Sequence, residues 1–334
     1  MPSPHVVTRI EIAGECFGTW LLLFFGLSTG AAAVTTGAQV GLWQVAVVWG
    51  FVIALAIFVT SQFSGAHLNP AFTIAFALSR ETKFPAHKVL PYVAAQLVGG
   101  IAAGWSVLLV YGNALARYEQ QHGIKRGGAN STLSAMVLCE YFPNPQVVLS
   151  GAMSPDDVTA IGALAIETVG TMVLTLIVRA LTDERNHARP APQQAPYFIG
   201  FTVASLASFI APLTQACFNP ARDLGPRLVA AVAGWGSIAL PGPCFGFWVY
   251  LAGPILGAAI GVRLYDSFLG PMYRITRSAA EETELSIEGL RKSKSGGAGE
   301  NEEGEEEEEG QPRNDSAWGW RFGTNREYDM LERA

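Results

Sequence analysis

The triplet Asn-Pro-Ala occurs twice, at Asn69-Pro70-Ala71 and Asn219-Pro220-Ala221, each time at the start of a short apolar stretch. Asparagine is among the best helix N-caps and proline is favoured at the first helical position, so each triplet predicts the start of a helix. A capping asparagine accepts a hydrogen bond through its side-chain oxygen, which leaves its NH2 group as a fixed outward donor. Two such donors could bind the oxygen of a neutral solute.

A single Asn-Pro pair more often marks a simple turn. Two copies in corresponding positions of two hydrophobic halves instead indicate a solute site at the middle of a membrane. The stretches that follow, residues 71–78 and 221–231, correspond to roughly 15 Å of helix, about half a bilayer. The pattern predicts two half-helices whose N-termini meet, and their positive dipole ends disfavour cations and protons.

The chain has 334 residues, of which 50% are hydrophobic and only 15% charged, as is typical of membrane proteins. Glu15 lies 54 residues before Asn69, and Glu167 lies 52 residues before Asn219, so the two halves match beyond the triplets. With three spans per half, the second copy enters from the opposite side. The sequence therefore predicts an all-α membrane protein, with six transmembrane helices and two re-entrant half-helices in an inverted repeat. The spans cover roughly residues 10–33, 42–62, 89–111, 158–181, 197–213 and 245–264.

The charged residues are unevenly distributed along the chain. Residues 278–334 hold 16 acidic and 7 basic side chains, a net charge of −9, which leaves +3 for the rest of a chain whose total is −6. This acidic part has no long apolar run and cannot bury a core, which is typical of disorder. We expect a cytoplasmic segment over residues 1–9, a membrane domain over 10–270 with halves at about 10–112 and 158–265, and a disordered cytoplasmic tail over 271–334.

Basic residues flank alternate sides of the six spans, which by the positive-inside rule places both termini in the cytoplasm. The long connection over residues 112–157 would then lie outside, where the sequon Asn130-Ser131-Thr132 is open to glycosylation. A second sequon at Asn314 would stay unmodified in a cytoplasmic tail. We expect an integral protein of the plasma membrane. The flanking basic residues are Arg9, Arg80, Lys83, Lys88, Arg185, Arg189, Arg274 and Arg277.

Glu15 and Glu167 each lie inside the first span of their half. Each could be a stray glutamate near the membrane surface, or a buried carboxylate that anchors the loop before the half-helix. Carboxylates at this depth are costly and usually functional, so we favour the anchor role. The irregular stretches over residues 64–68 and 214–218 can present carbonyl groups to a pore, the lining role open to irregular backbone at that depth.

The run from Ser64 to Ala71 (SGAHLNPA), the run from Asn219 to Arg222 (NPAR) and the paired glutamates resemble the major intrinsic protein family, the aquaporins and aquaglyceroporins. The resemblance covers residues 11–265. It implies the fold described above, a pore in each subunit and a homotetramer. His67 would join the two glutamates as an anchor of the half-helix loops.

Within the family, the stretch from Asn219 to Arg227 (NPARDLGPR) is similar to glycerol facilitators, in which an aspartate and a basic residue follow the arginine in this way. Asp223 and Arg227 are also an i, i+4 pair, so a local helix contact explains them equally well. Tyr250, which precedes Leu251, departs from the proline that facilitators tend to have there.

The resemblance assigns a selective constriction to Trp49, Ala207, Ala216 and Arg222. Arg222 would donate to solute hydroxyls and repel cations. Trp49 would be an apolar wall for the carbon backbone of a polyol, or else an interfacial belt residue. Alanine at position 207, where water-selective members usually have histidine, implies a wider opening. Ala216 departs from bacterial facilitators, which usually have an aromatic residue there, so urea or larger polyols could also pass.

These observations favour a passive channel for glycerol, other small neutral solutes and water, which needs no cofactor, metal or nucleic acid. A water-selective aquaporin, a coupled secondary transporter and a sensor or scaffold acting through the tail remain as alternatives. A transporter would need an ion-binding constellation of membrane carboxylates or lysines, which we do not find in the sequence. No nucleophile–base pair or metal-ligand spacing suggests an enzyme. A disulfide between Cys139 and Cys244 is conceivable but not expected.

Overall fold

The computed structural model describes residues 4–295, and every regular element within them is helical. Six helical stretches are long and apolar enough to cross a membrane, the last of them running from Pro243 to Ala279, and two short helices start at the Asn-Pro-Ala triplets. The predicted fold class is confirmed. The nine main helices are α1 (Pro4–Thr36), α2 (Gly41–Ser64), α3 (Pro70–Leu78), α4 (Val89–Gln121), α5 (Ala160–Thr182), α6 (Ala195–Thr214), α7 (Pro220–Ala230), α8 (Val249–Leu264) and α9 (Gly270–Ser295).

The packing of these helices repeats in the two halves. Helix α1 packs along α4 in the first half, and α5 packs along α8 in the second. Each half-helix packs on a long helix of the other half: α7 packs on α4, and α3 packs on α8. This packing across the two halves fixes both half-helices at the centre of the bundle.

The seam between the halves is the crossing of α2 and α6. It is close because glycines face each other there: a Cβ added to Gly50 would lie 2.6 Å from the carbonyl oxygen of Gly200 and 3.1 Å from Cβ of Ala204. Helices in lipid associate through such close packing, since lipid tails are as apolar as the side chains. The outer faces of the spans carry exposed apolar side chains, among them Phe51, Leu55, Val98 and Leu109.

The long connection between α4 and α5 folds back onto the bundle as a packed cap. It contains two short helices, Thr132–Ala135 and Pro145–Leu149, and residues 137–139 are buried in the main core. Ser134 accepts a hydrogen bond from Nε1 of Trp235 at 3.0 Å, and Tyr141 donates from its hydroxyl to the carbonyl oxygen of Ile238 at 2.9 Å. These contacts tie the connection to the segment that follows α7.

The first part of the expected disordered tail is helical in the structure. Helix α9 continues the chain from α8 to Ser295, because about half of its residues are strong helix formers, with glutamate and arginine the most frequent of them. Arg274 near its start donates to Glu81 at 3.0 Å. The expectation of disorder is therefore not met over residues 271–295, while residues 296–334, with Asn314, lie outside the described part of the chain.

Candidate channel site

Each Asn-Pro-Ala triplet caps and starts a half-helix. Asn69 has an extended backbone, and its Oδ1 accepts a hydrogen bond from the backbone N–H of Ala71 at 2.9 Å. Asn219 does the same with Ala221 at 2.9 Å and also accepts from Arg222 at 3.3 Å. Both prolines occupy the first helical position, where their missing N–H leaves no hydrogen bond unmade.

The two asparagines also cross-link the halves through their amide nitrogens. Nδ2 of Asn69 donates to the carbonyl oxygen of Phe218, and Nδ2 of Asn219 donates to the carbonyl oxygen of Leu68, both at 2.8 Å. Each acceptor directly precedes the opposite triplet. One amide hydrogen of each asparagine therefore forms a hydrogen bond between the two loops. The other amide hydrogen of each asparagine is left to donate to a solute.

The loop before the first half-helix is bound to Glu15. The fully buried Glu15 carboxylate accepts from the backbone N–H groups of His67 at 2.9 Å and Leu68 at 2.7 Å, and from Nε2 of Gln96 at 2.7 Å. Gln96 also donates to Oγ1 of Thr73 at 2.9 Å, and that hydroxyl lies 3.2 Å from Nδ1 of His67. The glutamate holds the loop, and Gln96 connects it to α3.

Glu167 makes the equivalent contacts in the second half. Its carboxylate accepts from the N–H groups of Cys217 at 3.1 Å and Phe218 at 2.9 Å, and from the hydroxyl of Thr214 at 2.6 Å. Ala216 and Phe218 have positive φ angles of 61° and 53°, a conformation that is unfavourable for residues with a side chain. The buried carboxylate supplies the hydrogen bonds that keep the loop in this conformation.

A cavity of about 390 Å³ lies along these loops. The loops contribute residues 65–69 and 215–219 to its lining, and much of the remaining lining is apolar. Trp49, Ala207, Ala216 and Arg222 all border the cavity, with Cζ of Arg222 lying 4.8 Å from the centroid of the Trp49 ring. The apolar wall is formed by Ile53, Ile57, Phe72, Phe76, Leu174, Ile199 and Val203.

The similarity of this chain to known proteins extends over the whole membrane domain. The family model of the major intrinsic protein matches residues 5–265. The chain belongs to the major intrinsic protein family. It is accordingly an integral membrane channel and not an enzyme.

Relatives within the major intrinsic protein family align over most of their length. The glycerol uptake facilitator protein of Haemophilus influenzae is 39% identical over 266 residues, covering 78% of this chain and 94% of the relative. The propanediol uptake facilitator PduF of Citrobacter freundii is 37% identical over 280 residues, covering 83% of this chain and 98% of the relative. Among solved structures, the aquaglyceroporin from Plasmodium falciparum aligns with a TM-score of 0.68 at 25% identity, covering 80% of this chain and 99% of that one.

In this major intrinsic protein, Asp223 and Arg227 do more than pair along α7. Nε of Arg227 donates to Asp223 at 2.6 Å, and its other nitrogens donate to the carbonyl oxygens of Ala239 at 2.6 Å and Glu140 at 2.5 Å. Asp223 accepts from the backbone N–H of Glu140 at 2.8 Å. The pair therefore fixes the connection between α4 and α5 over the channel mouth, which a local helix contact does not explain.

Tyr250 is buried against this cluster, with its ring centroid 5.8 Å from Cζ of Arg227, whereas Leu251 is half-buried and outside the cavity lining. Asn130 is exposed in a short turn of the α4–α5 connection. Cys139 is buried and Cys244 exposed, and both thiols are free.

Sequence reasoning missed Glu140. Its carboxylate is buried beside Arg222 and forms an ion pair with that guanidinium, although the two residues are far apart in the chain. The one available signal is an acidic residue inside the otherwise apolar run from Met136 to Phe142. Gln96, which bridges Glu15 and Thr73, was missed for a similar reason, because a lone glutamine in an apolar span gives no indication of its partners.

Proposed function

We propose that the channel passes glycerol and other small neutral solutes, together with water, and excludes ions and protons. The observation that carries the proposal is a cavity lined both by polar donors and by a continuous set of apolar side chains. Asn69, Asn219 and Arg222 can donate to solute hydroxyls, while the apolar wall suits the carbon backbone. Relatives named for uptake of glycerol and of propanediol, both small neutral polyols, are 39% and 37% identical.

Trp49, Ala207, Ala216 and Arg222 are our proposed selectivity constriction. The Trp49 ring lies beside the Arg222 guanidinium, which offers an apolar face and a row of donors to a polyol at the same depth. The two alanines occupy little space on the remaining sides. This combination favours an opening wide enough for glycerol and for urea or larger linear polyols, and it disfavours a water-selective pore.

We assign ion and proton exclusion mainly to the half-helices α3 and α7. Each directs the equivalent of about half a positive charge from its N-terminus toward the asparagines, where a cation would have lost its hydration shell. Glu15 and Glu167 are proposed as loop anchors that do not contact the solute, with His67 supporting the first loop. Asp223 and Arg227 are proposed as residues of the glycerol-facilitator type that hold the outer connection. Tyr250 and Leu251 are proposed to occupy a further signature position of that type, at which Tyr250 replaces the usual proline.

The test is solute flux in proteoliposomes, followed by stopped-flow light scattering under water, glycerol and urea gradients. A channel for neutral solutes gives glycerol flux that rises almost linearly with concentration and does not respond to an imposed proton gradient. Water flux without glycerol flux would support a water-selective aquaporin instead. Saturable, gradient-dependent flux would support a coupled transporter, and absence of any flux would favour a sensor or scaffold.

We propose further that residues 10–270 form the channel domain, that both termini are cytoplasmic and that the protein is a homotetramer of the plasma membrane. With the α4–α5 connection outside, Asn130 becomes the acceptor of an N-linked glycan. Expression in a glycosylating cell should give a mobility shift that Asn130→Gln removes, whereas modification at Asn314 would invert the topology. Light scattering of the detergent-solubilised protein measures its subunit number.

A further inference from the structure

We propose that Gly26 of α1 is a positioning residue that sets the width of the channel by seating the indole ring of Trp49. The inference rests on the proposed role of Trp49 in the constriction and deepens it. Gly26 does not need to contact the solute. It acts by having no side chain at the place where the ring must lie, so that the ring stays out of the path of a polyol.

The geometry around Gly26 leaves no room for even one methyl group. A Cβ added there would lie 2.6 Å from Cζ2 of Trp49 and nearer still to Cη2 and Cζ3 of the same ring. Real carbon atoms do not approach this closely, so either the ring or the helix has to move. Gly26 is buried, and both it and Trp49 border the cavity.

The ring is the part that moves, because the backbone of α1 is packed closely against α4. A Cβ on Gly99 of α4 would lie 3.0 Å from the backbone nitrogen of Trp20, so the two helix backbones are already in close contact. The Trp49 ring also lies against Arg222, whose Cζ is 4.8 Å from the ring centroid, and both residues border the cavity. We infer that a methyl group at position 26 pushes the indole toward Arg222 and into the opening.

This displacement affects solutes unequally. Glycerol passes with its carbon backbone against the indole, so a ring that moves toward Arg222 removes the width that a three-carbon solute requires. A water molecule is smaller and keeps its path. We infer that Gly26→Ala changes the ratio of glycerol to water permeability, which a purely structural defect would leave unchanged because it would lower both together.

The experiment compares Gly26→Ala with Gly112→Ala in proteoliposomes. Gly112 also lies inside a long helix, a Cβ there meets nothing within 4 Å, and it does not border the cavity. Both changes replace glycine by alanine in a helix, which by itself favours the helix. We expect glycerol permeability to fall about tenfold in Gly26→Ala, equal to about 1.4 kcal/mol of added barrier. Water permeability stays within about twofold, and Gly112→Ala matches wild type in both.

A second variant keeps the inference open to refutation if Gly26→Ala fails to fold. Phenylalanine has a smaller ring than tryptophan and leaves room for the added methyl group. The double variant Gly26→Ala/Trp49→Phe should therefore fold and insert into the membrane, and it should recover at least half of the lost glycerol flux. Equal glycerol-to-water ratios in Gly26→Ala and wild type would overturn the inference, as would failure of the double variant to recover. Absence of glycerol flux in the wild-type protein would instead refute the proposed function. That outcome is distinguishable from failure of the Gly26 inference, in which wild type conducts glycerol and Gly26→Ala conducts it equally well.

Discussion

The carboxylate of Glu140 is ion-paired with the guanidinium of Arg222, so the one arginine among the described lining residues has its own buried counter-ion. The backbone of Glu140 is fixed from both sides, since its N–H donates to Asp223 and its carbonyl oxygen accepts from Arg227. The pair makes the constriction nearly neutral while keeping the arginine donors in place. Exclusion of cations then depends more on the two half-helix dipoles than on a net charge at the filter.

Glu140→Gln is expected to lower glycerol permeability roughly five- to tenfold, equal to about 1–1.4 kcal/mol of barrier. The amide keeps the shape of the side chain but removes the charge, which frees the Arg222 guanidinium to move across the opening. Stopped-flow glycerol flux at about pH 8.5, where the wild-type carboxylate is ionised, measures the effect. Glu119→Gln is the matched control, because Glu119 pairs with Arg126 at 3.0 Å outside the cavity lining. Equal flux in the two variants would contradict the role of the ion pair.

The same ion pair predicts that glycerol flux depends on pH. Burial raises the pKa of the Glu140 carboxyl above its ordinary value, and the charges of Asp223 and Glu167 add to this, while Arg222 and Arg227 oppose it. The ionised form that pairs with Arg222 therefore exists at high pH and is lost on acidification, at a pH above that of an ordinary glutamate. Wild-type glycerol flux should fall as the pH is lowered from about 8.5 to about 5.5. The glycerol flux of Glu140→Gln should not change with pH and should equal the wild-type flux at the acid end of this range. A pH-dependent glycerol flux in that variant would assign the titration to another group.

Asn69→Asp should abolish most solute flux while leaving the half-helix formed. Aspartate is as good a helix cap as asparagine, but it cannot donate to the carbonyl oxygen of Phe218 or to a solute. We expect glycerol flux to fall at least tenfold and cation conductance to rise, measured by tracer flux and bilayer recording. Asn186→Asp is a close control, since Asn186 accepts from Ala188 at 3.0 Å and donates to Ala180 at 2.9 Å outside the cavity lining. If both variants conduct like wild type, the amide donors are not required.

The half-helices could be predicted from the sequence because their signals are local. Asparagine and proline at consecutive positions determine a helix start within three residues, and repetition of the triplet in two apolar halves indicates the inverted fold. The predicted end of α4 at residue 111 falls ten residues before the observed end at Gln121. Apolarity marks only the lipid-crossing part of a helix, and α4 continues beyond that part through charged residues such as Arg117 and Glu119.

The cross-links between the halves could not be predicted in the same way. Capping chemistry suggests that both amide hydrogens of Asn69 face the lumen, whereas one is bound to Phe218, 149 residues away in the chain. Glu140 and Gly26 likewise acquire their roles only from neighbours brought together by folding. A glycine within an apolar helix has no signal of its own until the Trp49 ring is seen against it.

Glu15→Ala should strongly destabilise the fold, because it leaves the N–H groups of His67 and Leu68 and the amide of Gln96 without their buried acceptor. Removing one member of such a buried polar cluster costs about 3–5 kcal/mol. Thermal unfolding in detergent, followed by tryptophan fluorescence, measures the change. Glu11→Ala in the same helix removes a more exposed ion pair with Lys88 and should cost at most about 1 kcal/mol. Equal losses in the two variants would show that Glu15 does not act through the loop.

Asp183 should stabilise the protein at neutral pH and lose this effect in acid. It follows α5 and accepts from Nε of Arg185 at 2.9 Å and from the hydroxyl of Tyr265. Burial alone would raise its pKa, but hydrogen bonds from Arg185 and Tyr265 lower the pKa of Asp183 to about 2, from an ordinary 3.8. A lowered pKa means that the stabilisation is complete above the unfolded-state value and is lost as the pH falls through the folded-state value.

Asp183→Asn should therefore lower the unfolding free energy at pH 7 by about 1 kcal/mol, a figure reduced for partial solvent screening. The difference from wild type should shrink between about pH 5 and about pH 2, because wild type takes up the proton that the amide never binds. Chemical denaturation in detergent at several pH values measures both quantities. Asp156→Asn, at an exposed position of the α4–α5 connection, should match wild type at every pH. A constant difference across this range would show that Asp183 acts through its shape and not through its charge.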